Sequence, residues 1–408
     1  MIRRGIAYSV GLQVLAGVAP LLMLPIVLRS LGPNAYGSYA HALALSGLLT
    51  GLFVTGFANH HTRDYVRSKL TPDVPGQVPP FFRLFLFQLI GAMVAGFANI
   101  AAGFLLASGT QRTLYLIAAV GTLLSCLNVD WVFYARNDIG PLFWRTLIVR
   151  IGVIALAALL LRSSDDLLIY AVLIQAANVL SSLIGFILAS RQEERIWISP
   201  KKIDFINSRY FFASNVIGSI QQYADQIVVG IVFSKADLAY LSLCRQVLSA
   251  AVGVSTAACR ALMPYSVRAA QNARRLTAHV RQIARPYVLI TVLTGVGMGT
   301  LGAPIMQWLA GSRFHFPNWL FPVCGACFVA TAIAVFIDTQ ISIPINKEVV
   351  TTRSNVAVAL LILIGLVGLW KFPTVGYVGA LWALFIAESV GVFFMLIIHK
   401  KIGTFREI

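Results

Sequence analysis

Three arginines stand where an arginine is costly. Arg150, Arg245 and Arg260 fall inside long apolar stretches of the chain. A guanidinium at the centre of a membrane helix costs about 2.5–3.5 kcal/mol on insertion scales, so such a group faces a cavity or a partner rather than lipid. Guanidinium forks onto phosphate or carboxylate oxygens through two parallel hydrogen bonds, which makes anion binding the chemistry to look for. Arg150 follows Pro141 by about nine residues and has no acid within one helical turn. It is either an anion-binding group facing a hydrated cleft or the structural partner of an acid on another span. Arg245, Ser249, Thr256 and Arg260 lie within about 60° of one helix face, the two arginines about 22 Å apart along the axis. That stripe suits passing an anion along the helix. Snorkelling arginines flanking a Ser/Thr packing face would give the same pattern.

A second set is uncharged. Asn215, Ser219, Gln222 and Gln226 share a face of one apolar stretch, with Gln221 and Asp225 beside it. Six polar residues in one span are too many to face lipid, so they line water or bond to neighbours. Amides both donate and accept, which suits sugar hydroxyls. Asp225 could hold a coupling ion or proton, or pair with an arginine. Glu388 and Asp338 are further carboxyls at membrane depth, able to exchange protons with a gradient or to pair with Arg150 or Arg260. His41 reads as a satisfied buried histidine. Cys324-Gly-Ala-Cys327 has redox-like spacing, but it lies mid-span without His or carboxylate beside it. It reads as packing thiols, and no metal site is expected.

The elements that position these residues follow from composition. Hydrophobic residues make up 58% of the 408 and charged residues only 12%, about half the charge of a water-soluble fold. The expected fold class is an all-α integral membrane protein of about twelve helices in two six-helix lobes. Its spans run roughly 7–29, 36–58, 84–107, 113–135, 141–161, 167–189, 210–233, 238–264, 286–310, 317–341, 354–370 and 375–398, each near the ~20 residues a bilayer requires. The opening run to Leu28 is too long for a signal peptide and reads as the first span. Pro20 and Pro25 should bend it. Of the Lys and Arg residues in the connectors, 23 fall on one side and 6 on the other. The positive-inside rule then puts both termini in the cytoplasm, and the net charge of +17 becomes topology rather than nucleic-acid binding. The basic connector 265–285, with Leu276, Val280 and Ile283 at helical spacing, reads as an amphipathic helix on the anionic inner leaflet or as a solvated loop.

The halves are expected at 1–190 and 210–408, with 191–209 as a cytoplasmic linker. A shift of 204 residues lays Ser30…Ala35-Tyr36-Gly-Ser38 over Ser234…Ala239-Tyr240-Leu-Ser242. Six spans per half would relate the lobes by a pseudo-twofold axis along the membrane normal, around a central cleft suited to alternating access.

Several passages resemble the Wzx-type polysaccharide flippases of the multidrug/oligosaccharidyl-lipid/polysaccharide exporter superfamily. These are Leu24-Pro25-Ile-Val-Leu-Arg29-Ser-Leu-Gly32-Pro33-Asn-Ala-Tyr36-Gly37; Asp130-Trp131-Val-Phe133-Tyr134-Ala135-Arg136-Asn137; Asp225 followed by Gly230 and Ala239-Tyr240; and Met263-Pro264. The second passage departs from the family, which often ends this segment with Gly and Glu where this chain has Ala135 and Asn137. The resemblance implies a flippase, not an enzyme, that moves an undecaprenyl-diphosphate-linked oligosaccharide to the outer leaflet of a bacterial inner membrane for surface polysaccharide such as O-antigen. On that reading Arg29, Arg150, Arg245 and Arg260 meet the diphosphate, and Asn215, Gln222 and Gln226 meet the sugars. Asp225 and Glu388 serve coupling by H⁺ or Na⁺, with no other cofactor. The expected partners are the lipid-linked substrate, membrane lipid, and the polymerase and glycosyltransferases of the same pathway. A cation-coupled multidrug antiporter of the superfamily is the nearest rival, disfavoured by more deep arginines than deep acids. A membrane-embedded polymerase or glycosyltransferase is the enzyme alternative, disfavoured by outward connectors of no more than about ten residues.

Overall fold

The computed structural model describes residues 2–54, 62, 65, 80–136, 138–191, 202–372, 374 and 376–401. Most of the expected linker 191–209, nearly all of the connector before Pro80, and Asn137 lie outside them. The described chain is helical, with no strand: α1 Ile2–Phe53, α2 Pro80–Leu106, α3 Gly109–Leu124, α4 Asp130–Arg136, α5 Gly140–Leu160, α6 Leu167–Ser190, α7 Lys202–Val232, α8 Lys235–Ala269, α9 Ala273–Ala310, α10 Leu320–Ile337, α11 Glu348–Lys371 and α12 Val378–Lys401. Nine helical segments among the described residues, from Phe81–Leu106 to Val378–Lys400, are long and apolar enough to cross a bilayer. The chain is a multi-pass membrane protein. The three other expected spans fall in α1 and α7. The first two join in one 52-residue helix broken at Gly32, whose φ of 75° is open to glycine at no steric cost.

Two compact units result. One holds Met1–Leu15 with Asn34–Ile227, the other Ala16–Pro33 with Val228–Ile408. Residues 16–33 group with the second unit, and the chain through Ile227 with the first. Within unit 1, α2 packs on α3, α5 on α6 and α3 on α6; within unit 2, α10 packs on α8, α9 and α12, and α11 on α12. Unit 1 has a core of Phe81, Phe82, Phe85, Trp131, Val132 and Phe133. In unit 2, α10 is the most buried of the membrane helices. Cys324 and Cys327 are fully buried and unbridged there, their thiols donating to the carbonyls of Cys244 and Leu381 at 3.4 Å each.

Local sequence explains the helix ends. Ser234 begins α8 with a capping box: its hydroxyl accepts the Asp237 N–H at 3.1 Å and the Asp237 carboxylate takes the Ser234 hydroxyl at 2.7 Å. Asn272 caps α9, its Oδ1 accepting from the backbone N–H of Arg274 and Arg275. The basic segment 265–285 is therefore the end of α8 and the start of α9. Leu276 and Val280 are buried against Phe336, Ile337 and Ile341, while Arg274, Arg275, Arg281 and Arg285 are exposed on the helix. Its apolar face packs on the protein's own core.

The fourth span of the first half is interrupted. After Leu124 a short tight turn, Ser125–Leu127, precedes α4. The break leaves carbonyls without helical partners. Gln88, 3% exposed, donates its side-chain N–H to the carbonyls of Ser125, Cys126 and Asn128 at 3.3, 3.2 and 2.8 Å, and its carbonyl accepts from the Trp131 indole at 3.3 Å. This one side chain holds the break open. The break brings Asp130 to the start of a new helix, its N–H on the Asn128 side-chain oxygen at 3.3 Å.

Candidate functional site

Unit 1 contains a cavity of about 540 Å³ between α1, α3, α5, α6 and α7, with Asn128 and Asp130 at the helix break. Its charged groups are Arg145 and Arg150 on α5 and Asp130 at the start of α4. Arg145 sits near the start of the span expected at 141–161, and its side chain is only 7% exposed. It forks onto Asp130 with Nη1 to Oδ1 at 2.9 Å and Nη2 to Oδ2 at 3.1 Å. Its buried Nε finds no hydrogen-bond partner among the described residues. Gly185 on α6 makes room for this pair, because a Cβ there would run into Arg145 Nη1 and lie 3.6 Å from Asp130 Oδ1.

Arg150 lies one and a half turns further along α5. It is half-buried and has no ion pair or hydrogen bond among the described residues. Its charge acts on the buried pair Tyr39 and Tyr170, whose ring centroids are 4.7 Å apart. Two guanidiniums against one carboxylate leave the lining with net positive charge.

The rest of the lining is mostly small or uncharged polar. Gln175, Asn178 and Ser182 on α6 recur at three- and four-residue spacing and so share a face, as do Asn215, Ser219 and Gln222 on α7. Glycines opposite these side chains set the close approaches. A Cβ on Gly51 would collide with the Ser219 hydroxyl, and one on Gly121 with the Gln175 carboxamide. The cavity thus offers amides and hydroxyls around two fixed cations, a lining able to bind an anionic, hydroxyl-rich ligand.

Comparison with known proteins fits this architecture. Residues 2–270 match the polysaccharide biosynthesis protein family. The chain belongs to that family. No curated protein matches it. Among solved structures, the family member aligns over 96% of both chains, at TM-score 0.64 and 13% identity, with an inward-facing MATE-family multidrug resistance transporter of the MOP superfamily. A eukaryotic MATE transporter, AtDTX14, aligns at TM-score 0.56 and 13% identity over 97% of this chain and 95% of that one. A MOP superfamily transporter from Pyrococcus furiosus aligns at TM-score 0.52 and 14% identity over 97% and 95%. These likenesses give the family member the two-lobed MATE-like fold.

The structure brings only some of the sequence-derived site residues together. Arg150, Asn215 and Gln222 line the cavity. Gln226, one turn on, donates to the Gln222 carbonyl at 3.3 Å. Asp225 is buried, and its Oδ1 accepts the Gln226 backbone N–H at 2.9 Å. The remaining site candidates, Arg29, Arg245, Arg260 and Glu388, belong to unit 2. Arg245 is half-buried and electrostatically coupled to Glu388, and Arg260 is exposed. Arg29 donates Nε to the Leu309 carbonyl at 3.1 Å and Nη2 to the Trp308 carbonyl at 2.9 Å, capping the end of α9. Asp338 accepts from the Thr351 hydroxyl at 2.6 Å. His41 is buried, with Nδ1 3.2 Å from the Tyr115 hydroxyl, the satisfied histidine its sequence setting suggests. Sequence reasoning missed Arg145 and Asp130, whose pairing joins α5 to the start of α4. It also missed Gln175, Asn178 and Ser182, although their helical spacing was visible.

Proposed function

We propose that the chain is a flippase for a lipid-linked oligosaccharide, moving an undecaprenyl-diphosphate-linked repeat unit from the cytoplasmic to the periplasmic leaflet of a bacterial inner membrane by alternating access. The observation that carries this reading is the unit 1 cavity. Arg150 is a cation without an acid partner among the described residues, in a space also lined by six polar side chains on two helix faces. A diphosphate-sugar is anionic at one end and hydroxyl-rich at the other. Guanidinium meets the first and carboxamides meet the second. Membership of the polysaccharide biosynthesis family supports the glycan, and the MATE-like fold supports transport over catalysis.

The polarity of the lining disfavours the drug-antiporter reading, which needs a free carboxylate for a cationic substrate. The acid in this cavity, Asp130, is engaged by Arg145. For the Pyrococcus furiosus transporter, reversed polarity of the binding pocket is the feature that suggested a different function; the same criterion applied here points to an anion. Both termini are assigned to the cytoplasm by the distribution of basic residues. Asp225 and Glu388 remain the carboxyls proposed for coupling to H⁺ or Na⁺.

The test is flipping of a fluorescent undecaprenyl-diphosphate oligosaccharide in proteoliposomes, wild type against Arg150→Ala at matched levels of folded protein. Wild-type flipping that falls about ten-fold or more in the variant is expected, since a hydrogen bond to a charged group contributes about 1.5–3 kcal/mol. Absence of wild-type flipping, with efflux of ethidium down a proton or sodium gradient, would replace the flippase with the antiporter.

A further inference from the structure

An anion site must also let its anion go, and one feature of the cavity bears on release. Arg145, its side chain 7% exposed, already has an acid on its fork, at 2.9 and 3.1 Å. Its Nε donor, also buried, is unused among the described residues. Asp130 is less enclosed, with 30% of its side chain exposed against 7% for Arg145. The acid is therefore the more accessible member of the pair. It opens the short helix α4, directly after the break whose carbonyls Gln88 bonds. Breaking a buried pair outright is costly, because a charge is left without compensation. Replacing one acid by another on the same guanidinium is not.

We infer that Asp130 is an internal counter-anion that competes with the diphosphate for Arg145 and so limits how tightly the cavity holds its substrate. The inference rests on the flippase reading. In the empty cavity Asp130 neutralises Arg145 and leaves Arg150 as the net positive charge. When a diphosphate enters, Arg150 binds it first, and Arg145 turns part of its fork, together with Nε, to the phosphate oxygens. Asp130 then faces the ligand as a like charge and opposes it. On release the acid returns to the guanidinium, so the arginine is never left buried and unpaired. No covalent step is involved. Asp130 acts here as an affinity-setting residue, through Arg145.

The experiment measures binding of farnesyl diphosphate to the full-length protein in detergent, with farnesol as the uncharged control. The expected result is that Asp130→Asn, which keeps an acceptor for Arg145 but removes the charge, lowers the Kd by about ten-fold or more, within the range of couplings between close charge pairs. In the flipping assay the same variant should lower both KM and kcat, because release slows. A purely structural pair predicts the reverse: weaker binding, or none of this split. A second comparison does not require Asp130→Asn alone to fold. Arg145→Gln leaves Asp130 as an uncompensated anion beside the ligand, so adding Asp130→Asn to it should recover part of the lost affinity. A double variant that binds no better than Arg145→Gln overturns the inference. Wild type that binds farnesyl diphosphate no better than farnesol overturns the flippase reading and the inference with it. Wild type that prefers the diphosphate, with Asp130→Asn no tighter, overturns the inference alone.

Discussion

The polar cavity of unit 1 and the apolar groove of unit 2 are close in size, about 540 and 610 Å³, and opposite in chemistry. The groove lies between α9, α10 and α12. Its walls are Val292, Val296, Val329, Ile333 and Val392, with Thr300 and Ser389 as its hydroxyls. Gly295 faces Gly325 closely: a Cβ on Gly295 would lie 2.9 Å from the Gly325 carbonyl oxygen. Small residues let membrane helices approach in this way. Glycines also set close approaches in unit 1, at Gly51, Gly121 and Gly185, but there they face polar groups. Helix packing with small residues makes the space in both units, and the side chains on one or two helix faces decide what the space can hold. The fold alone does not specify the ligand.

The comparison extends to the fourth span of each half, which departs from regular α-helix in both. In unit 1 the departure is the turn at Ser125–Leu127, held by Gln88. In unit 2 it is the wide turn Asp338–Ser342 following α10, where Gln340, fully buried, donates to the Cys259 carbonyl at 2.7 Å and accepts from the Ser266 hydroxyl at 2.5 Å. The largest expected effect follows from this. Gln88→Leu leaves three carbonyls and an indole N–H without their side-chain partner. At about 1–3 kcal/mol for each buried group left unsatisfied, the variant should lose several kcal/mol and accumulate poorly. Fluorescence-detected size exclusion after heating in detergent measures this. A melting temperature unchanged from wild type would mean that the break does not depend on Gln88, and would remove the parallel with Gln340.

The second effect tests the contrast in polarity directly. Val329→Arg places in the unit 2 groove the kind of group that unit 1 already carries at Arg150. An arginine at the centre of a membrane helix costs about 2.5–3.5 kcal/mol, and the groove offers only hydroxyls to compensate. The variant should melt earlier, while flipping per folded molecule stays near wild type. Thermal stability and flipping thus separate the units: removing a charge from unit 1 should affect transport, and adding one to unit 2 should affect folding. Flipping that falls in parallel with Arg150→Ala would place the groove in the transport path.

How far this was legible in the sequence depends on the range of the signal. The membrane class and the α7 face of Asn215, Ser219 and Gln222 were visible, because both are properties of one continuous segment. Arg150 stood out because a single residue broke an apolar run. Arg145 did not, because its sequence neighbourhood reads as the edge of a span and its partner lies fifteen residues upstream, at the start of the short helix α4. The break that precedes α4 has no strong local marker in Ser125-Cys-Leu-Asn128, and its carbonyls are met by Gln88 from another helix. The first two expected spans meet directly at Gly32, where the backbone leaves helical geometry and Pro33 follows, with no connector between them. Arg245 and Glu388 were each recognised as deep charges, yet their electrostatic coupling runs between α8 and α12, and no spacing rule reaches that far.

The smallest expected effect concerns Arg29, which the first-loop resemblance offered as a substrate cation. In the structure its Nε and Nη2 donate to the last carbonyls of α9, and Arg313 returns the contact with Nη1 on the Ser30 carbonyl at 2.6 Å. Both contacts lie within unit 2. Arginine at a helix C-terminus answers carbonyls that no helical N–H reaches and favours the negative end of the dipole. Arg29 is exposed, so water can replace most of what the side chain supplies. Arg29→Ala should therefore cost no more than about 0.5–1.5 kcal/mol of stability and leave the KM for the lipid-linked oligosaccharide unchanged. Titration of the flipping rate against substrate density, alongside a thermal melt, distinguishes the roles. A raised KM with an unchanged melting temperature would return Arg29 to the substrate path and extend the cationic surface beyond unit 1. An unchanged KM with a slightly lowered melting temperature would make Arg29 a helix cap and remove it from the transport cations.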